Sequence, residues 1–214
     1  MMPSYTLFDE NWARKEHFHH YYTTNPCTFA FTTNLDITGI VGTSRKLYPT
    51  MLYLITNVAN RHKEFRMTTD KDGNAAYFDR VLPCYTIFHK DTETFSNVWT
   101  EYTDDIDEFC VRYDKDMAEY GNKKQFNAKP APPENAIPVS MIPWETFSSF
   151  TLNIENQYKF LLPIFTMGKY YREGNRIMMP LAIQVNHAAC DGYHVSVFIK
   201  ELKSLMQQIA ESKQ

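Results

Sequence analysis

Apolar and polar positions change period several times along the chain, and each change predicts an element. Residues 177–185 form an apolar run that reads as a buried strand. After a turn, Phe198, Leu202, Leu205 and Ile209 recur at helical spacing, so residues 195–209 are expected to form a helix that covers the sheet. Residues 27–33 alternate and are β-branched or aromatic, the pattern of a strand with one buried face. A short helix is expected after Asp36. Pro49 opens a helix to about Asn60, with Met51, Leu52, Ile55 and Val58 as its apolar stripe.

Elsewhere the punctuation is polar. Asp70-Lys71-Asp72-Gly73-Asn74 predicts a turn joining residues 64–69 and 75–78 as a hairpin. Residues 84–90 and 94–100 read as strands, and acids from Asp104 to Glu108 suit the start of a helix that runs to about Tyr120 and stops at Gly121. Residues 122–135 are polar and Pro-rich, a surface loop and not a domain linker. Residues 161–171 and 176–187 are two long strands joined at Glu173-Gly174-Asn175. Near the start, Asp9 or Asn11 can cap a helix over residues 12–21. Strands and helices alternate and the late hairpin is antiparallel, which predicts a two-layer α/β protein with a mixed β-sheet.

Length and composition then limit the function classes. The 214 residues suffice for one domain spanning 1–214, with a substantial core. A formal net charge of -3 leaves no electrostatic footprint for nucleic acid or an anionic membrane. The first five residues lack a signal-peptide pattern, and no stretch approaches the roughly 18 apolar residues of a membrane span, so a cytoplasmic protein is expected. Cys27, Cys84, Cys110 and Cys190 are scattered without a CxxC pair, which gives neither a metal site nor a disulfide framework. His17, His19 and His20 invite a metal reading, but adjacent helical residues point about 100° apart and no carboxylate pattern completes the set. The 29 Tyr and Phe residues exceed what a core of this size needs, so some rings are expected to line a pocket or a subunit interface.

The candidate chemistry lies where the apolar run 177–185 ends, at Asn186-His187-Ala188-Ala189-Cys190-Asp191-Gly192. An imidazole has an ordinary pKa of about 6.5, so at a rigid strand end His187 can take a proton from a substrate hydroxyl at neutral pH. Gly192 permits a sharp turn and Asp191 can organise it. Cys190, three residues from His187, offers a second route through an acyl-thioenzyme, ranked below direct transfer.

His187 to Gly192 resembles the HxxxDG signature of the CoA-dependent acyltransferase superfamily, and the string through His194 resembles that of the chloramphenicol acetyltransferases. So do Arg14-Lys15-Glu16-His17-Phe18, Tyr85-Thr86-Ile87-Phe88-His89, Thr92-Glu93-Thr94-Phe95-Ser96, Pro143-Trp144, Ser149-Phe150, Leu152-Asn153, Pro163 and Thr166-Met167-Gly168-Lys169-Tyr170, in the same order. One position departs: the family has two adjacent histidines, and Asn186 stands in place of the first. The second, which carries the chemistry, is kept as His187.

The resemblance implies the chloramphenicol acetyltransferase fold, no tightly bound cofactor, acetyl-CoA as co-substrate, chloramphenicol as acceptor, and a homotrimer with its sites at subunit interfaces. It implies His187 as general base, Ser149 as donor to the oxyanion, and Thr166 as a polar contact near the transfer centre. Asp191 and Arg14 would form an ion pair bracing the turn. Tyr21 and Phe95 would line the acceptor pocket, and Lys46, Tyr48, Lys169 and Tyr170 would contact CoA. Ser148 should be separable from Ser149, because neighbours on a strand point apart. Two rivals remain: an acyltransferase for another hydroxylated metabolite or a lipoyl thiol, and a protein that sequesters an aromatic ligand without chemistry.

Overall fold

The computed structural model describes residues 3–130, 132–153 and 159–211. Among these, the sheet that positions the site has the strand order β2 (Thr28–Asp36), β10 (Arg176–Asn186), β8 (Ile164–Gly168), β7 (Ala136–Ile142), β5 (Leu82–His89), β6 (Thr94–Trp99). A further short strand, β9 (Tyr171–Glu173), pairs with the start of β10. The β7 strand runs parallel to both β5 and β8, and the other pairings in this sheet are antiparallel. The mixed α/β architecture expected from the pattern is therefore the one found.

The two faces of the sheet differ in chemistry because side chains alternate along each strand. On one face Met179, Leu181, Ile183 and Val185 of β10 join Phe165 and Met167 of β8 in a continuous apolar core. The short helix expected after Asp36 is α2 (Thr38–Val41), and helix α3 (Leu47–Arg61) is the hub of that core, buried at every position from Pro49 to Thr56. Its two buried threonines satisfy themselves by donating to carbonyls four residues back, Thr50 to Lys46 at 2.8 Å and Thr56 to Leu52 at 2.7 Å. The helix packs against α4 (Ile106–Tyr120) and α5 (Gly192–Glu211). The ring of Phe198 on α5 stacks between Phe65 and Phe165, with centroids 4.7 and 5.2 Å away. Truncating such a ring in a closed core costs about 3–5 kcal/mol.

The other face carries Ser140, Thr166, Ala182, Gln184 and Asn186, and segment 143–153 lies across it. Lys169 N–H donates to the Glu145 carbonyl at 2.9 Å. Leu152 is bound on both sides by Gln184, which accepts from its N–H at 2.7 Å and donates to its carbonyl at 2.8 Å. Between these anchors the Phe147 ring rests on Gly168. A methyl group there would come within 2.6 Å of Pro180 Cγ and 2.8 Å of Phe147 Cε1, so only glycine fits.

Several predicted boundaries move. Helix α1 spans only Lys15–His19 and runs on as a wider π-type turn, His20–Thr24. Asp9 does not cap it: its carboxylate accepts from Asn11 N–H at 2.8 Å, which makes a separate turn, and Arg14 takes the N-cap position with its side chain free to reach elsewhere. The expected strand 64–69 is a 3-10 turn, Lys63–Arg66, followed by β3 (Met67–Thr69). With β4 (Ala75–Phe78) and an unanticipated β1 (Tyr5–Leu7) it forms a second, three-stranded sheet. The expected strand 161–171 is interrupted after Gly168 and resumes at Tyr171. The residues of β7 had no strand prediction, because Pro138 and Ser140 interrupt their apolar pattern.

Residues 122–130 of the expected loop are laid along the edge strand β6. Trp99 Nε1–H donates to the Pro130 carbonyl at 2.8 Å, and Lys129 pairs with Asp116 at 2.7 Å while standing 3.9 Å over the Trp99 ring. Asp116 also accepts from Thr100 at 2.8 Å, so the pair is satisfied where it is buried. Among the described residues no helix is long and apolar enough to cross a membrane.

Candidate active site

His187 is the first residue after β10, and its N–H is fixed by the Cys27 carbonyl at 3.0 Å. The preceding Asn186 is buried and makes the turn: its Oδ1 accepts from Ala188 N–H at 2.9 Å, and its Nδ2 donates to the Phe160 carbonyl at 3.3 Å. The chain is thereby folded back so that the imidazole Nδ1 lies 3.2 Å from the Cys190 carbonyl. A carbonyl only accepts, so Nδ1 carries the ring proton and Nε2 keeps its lone pair. This is the tautomer a general base requires. The Asp191 carboxylate stands 3.4 Å from the same Nδ1.

Arg14 reaches from the start of α1 to this turn, 177 residues away in sequence. Its guanidinium makes an ion pair with Asp191 and donates to the carbonyls of His187 and Ala188, each at 3.4 Å. One side chain thus ties the acidic residue and two carbonyls of the turn together. The aromatic surroundings are equally close. Tyr21 stacks on the His187 ring at 3.9 Å with 9° between planes, and Phe29 stands edge-on at 5.2 Å.

A separate cleft of about 340 Å³ opens over β5, β6 and β7. It is lined by Cys84, Thr86, Asn97, Ser140 and Phe160 together with residues 132–134. Ser140 and Thr166 share a hydrogen bond of 3.2 Å beside it. His187 is not among the lining residues. The register pairs Thr166 with Ala182, five residues before His187, which is about 16 Å along a strand. Phe95 lies two residues from Asn97 on the same strand face and opposite Phe88, and both rings are exposed.

Sequence comparison supplies the deciding observation: a model of the family described as "CAT: Chloramphenicol acetyltransferase" matches residues 3–203. The chain belongs to the chloramphenicol acetyltransferase family. Curated relatives named chloramphenicol acetyltransferase include one from Vibrio anguillarum, 54% identical over 94% of this chain and 93% of its own length. Another, from Campylobacter coli, is 52% identical over 92% of this chain and 96% of its own. A solved structure of a chloramphenicol acetyltransferase superposes with a TM-score of 0.83, covering 95% of this chain and 100% of that one at 23% identity, which shows the shared fold.

Within this family frame, the residues singled out by resemblance fall into separate groups. Arg14, Tyr21, His187 and Asp191 converge on one turn. Ser149 is exposed in segment 143–153, three residues from Leu152, while Gln184, the partner of Leu152, is three residues from His187. Neither Ser148 nor Ser149 is in a strand, so strand alternation does not separate them as expected. Thr166 is buried and bonded to half-buried Ser140 on the sheet face that segment 143–153 crosses. Lys46 pairs with Asp114 at 2.8 Å just before α3. Tyr48 is already within α3, its hydroxyl buried against the carbonyls of Thr86 and Val139, and burial pushes that hydroxyl's pKa well above its ordinary value. Lys169 and Tyr170 are exposed past the end of β8, at the end of that strand away from His187.

Four contributors escaped the sequence reading. Gln184 and Ser140 are polar residues inside apolar strands, a signal for a buried partner. The Cys190 carbonyl and the Cys27 carbonyl leave no trace in sequence, since every residue has one. Cys190 itself is buried, its thiol donating to the Glu64 carbonyl at 3.4 Å, and burial raises its pKa well above the ordinary thiol value. A thiol so placed stays protonated and non-nucleophilic.

Proposed function

We propose that the chain transfers the acetyl group of acetyl-CoA directly to the primary hydroxyl of chloramphenicol. His187 Nε2 takes the hydroxyl proton as that oxygen attacks the thioester carbonyl. The tetrahedral oxyanion is stabilised by the Ser149 hydroxyl. Collapse breaks the carbon–sulfur bond, and the departing CoA thiolate takes the proton back from His187. The observation that carries this reading is the Nδ1–H to Cys190 carbonyl bond, which leaves Nε2 unprotonated. Acetyl-CoA serves as co-substrate, the reaction as written needs no resident cofactor, and a cytoplasmic location matches that co-substrate. Lys46, Tyr48, Lys169 and Tyr170 are the candidate CoA contacts.

The chain acts, in this reading, as a homotrimer whose sites lie between subunits. Two observations support it: the 340 Å³ cleft does not include His187, and Phe88, Phe95, Phe126 and Trp144 are all at least 40% exposed on the surface that continues past it along β5 and β6, where Phe95 is two residues from the cleft-lining Asn97 and pairs with Phe88. A second copy bringing its His187 turn to this cleft would bury those rings, with Tyr21 and Phe95 then lining one pocket from two chains. The test is CoA thiol release with acetyl-CoA and chloramphenicol, for the wild type and His187→Ala. Release lost in the variant is expected. Release that persists excludes His187 as base, and a folded wild type that releases no thiol redirects attention to other hydroxylated acceptors.

A further inference from the structure

We infer that His194 is a positioning residue for acyl transfer: as an uncharged imidazole it holds the backbone of Asp191, and with it the turn that presents His187. The inference rests on the acyl-transfer reading above.

Helix α5 begins at Gly192, which puts Asp191 at its N-cap and His194 at the third helical position. In a capping box the side chain at that position, ordinarily Glu or Gln, reaches back to accept the N-cap N–H. Here His194 Nδ1 accepts the Asp191 N–H at 3.0 Å. A backbone N–H only donates, so Nδ1 is unprotonated and the ring proton sits on Nε2, 3.9 Å from Glu64 Oε1. A Glu in this place would add a second carboxylate beside Asp191. An imidazole accepts without that charge.

The contacts close a ring around the base. Asp191 is gripped at its carboxylate by Arg14 and at its N–H by His194. Glu64, which faces His194, also accepts from the Cys190 thiol, and the Cys190 carbonyl accepts from His187 Nδ1. Loss of the His194 grip therefore acts on the atoms that fix the His187 tautomer, though His194 itself touches neither substrate nor reacting atoms.

Protonation would break this grip, because a doubly protonated ring has no acceptor. The charged groups facing His194 are Glu64 and Asp191, which favour its charged form, and Arg14 and His62, which oppose it; burial outweighs them all and lowers its pKa. With the folded value depressed, the His194 contribution is fully present above the unfolded value of about 6.5 and is lost as pH falls through the folded value.

The experiment is steady-state thiol release by the full chain with acetyl-CoA and chloramphenicol, for the wild type, His194→Ala and His194→Gln. His194→Ala should lower kcat about tenfold, as expected of a small misplacement of the base, with both KM values little changed. His194→Gln, which restores the usual acceptor, should recover most of kcat. Because Gln cannot be protonated, its acid limb of kcat/KM should keep unit slope where the wild type steepens as pH falls through the depressed His194 value. Equal kcat in all three proteins, or an acid limb in His194→Gln identical to the wild type, would overturn the inference. The acid-limb comparison decides alone if His194→Ala does not fold. A wild type that releases no thiol would instead defeat the acyl-transfer reading. Nitrogen NMR of the His187 ring then decides the positioning role, which fails if His187 keeps the same tautomer in wild type and His194→Ala.

Discussion

The ring of Tyr21 lies flat on the imidazole of His187, 3.9 Å away and 9° from parallel. The stack restricts rotation of the imidazole, while the Nδ1 bond to the Cys190 carbonyl leaves Nε2 as the nitrogen with a lone pair. Tyr21→Ala should therefore lower kcat, on the order of tenfold, because the ring is less well oriented. Tyr21→Phe keeps the stack and should keep kcat; a rise in the KM for chloramphenicol in that variant would assign the hydroxyl to the acceptor. A full drop of kcat in Tyr21→Phe would contradict the stacking role.

Arg14 and Asp191 act on one turn, so their substitutions should not add. We expect Arg14→Ala and Asp191→Ala each to cost roughly 10-fold to 100-fold in kcat/KM, with the double variant close to the worse single one. Measuring all three closes the cycle. Loss in Asp191→Ala with none in Arg14→Ala would mean that Asp191 acts on His187 directly through its 3.4 Å approach to Nδ1.

Removal of the Ser149 hydroxyl should cost on the order of 10²-fold in turnover if it donates to the oxyanion. Ser148→Ala is expected to stay near wild type. Gly168→Ala provides an indirect check, because the added methyl would push the Phe147 ring away and displace segment 143–153. Its loss of kcat without loss of the folded state, judged by circular dichroism, would locate the effect in that segment.

Cys190→Ala should leave turnover nearly intact, since the buried thiol is held protonated. Alkylation by iodoacetamide at pH 8 should likewise spare Cys190 in the native enzyme and reach it after denaturation. Complete loss of activity in Cys190→Ala would restore the acyl-thioenzyme route.

The proposed sharing of sites between subunits makes a distinct prediction for mixed oligomers. His187→Ala should be inactive and Ser149→Ala reduced on the order of 10²-fold, and co-expression should recover activity where an interface combines an intact His187 of one chain with an intact Ser149 of the other. No recovery, despite mixed oligomers seen by mass spectrometry, would place both residues of each site in one subunit.

Local patterns carried much of this protein. The apolar run 177–185, the stripe of α3 and the acids opening α4 each specify their element by burial or by the helix dipole, and those physical terms act within a few residues. Asp105 does cap α4, accepting from Asp107 and Glu108 N–H at 2.8 and 2.9 Å. The spacing His187-x-x-x-Asp191-Gly192 likewise exposed the candidate base, since a His at the end of a buried strand before a Gly-containing turn is visible in one dimension. Where the reading failed, the deciding partner was distant. β7 became a strand because it found β5 and β8 on either side, and α1 shortened because Arg14 is committed to a turn at the other end of the chain.

One-dimensional pattern sufficed for the class of fold, for the strand that ends in His187 and, by resemblance, for the chemistry that His187 is expected to perform. Tertiary contacts alone set which nitrogen of His187 is free, what Asn186 holds, how Tyr21 and Arg14 close on the imidazole, and that the cleft over β5, β6 and β7 stands apart from it in one chain. Those features depend on backbone carbonyls and N–H groups meeting across long sequence separations. Every residue carries such groups alike, so their pairing is written in the fold and in no residue type.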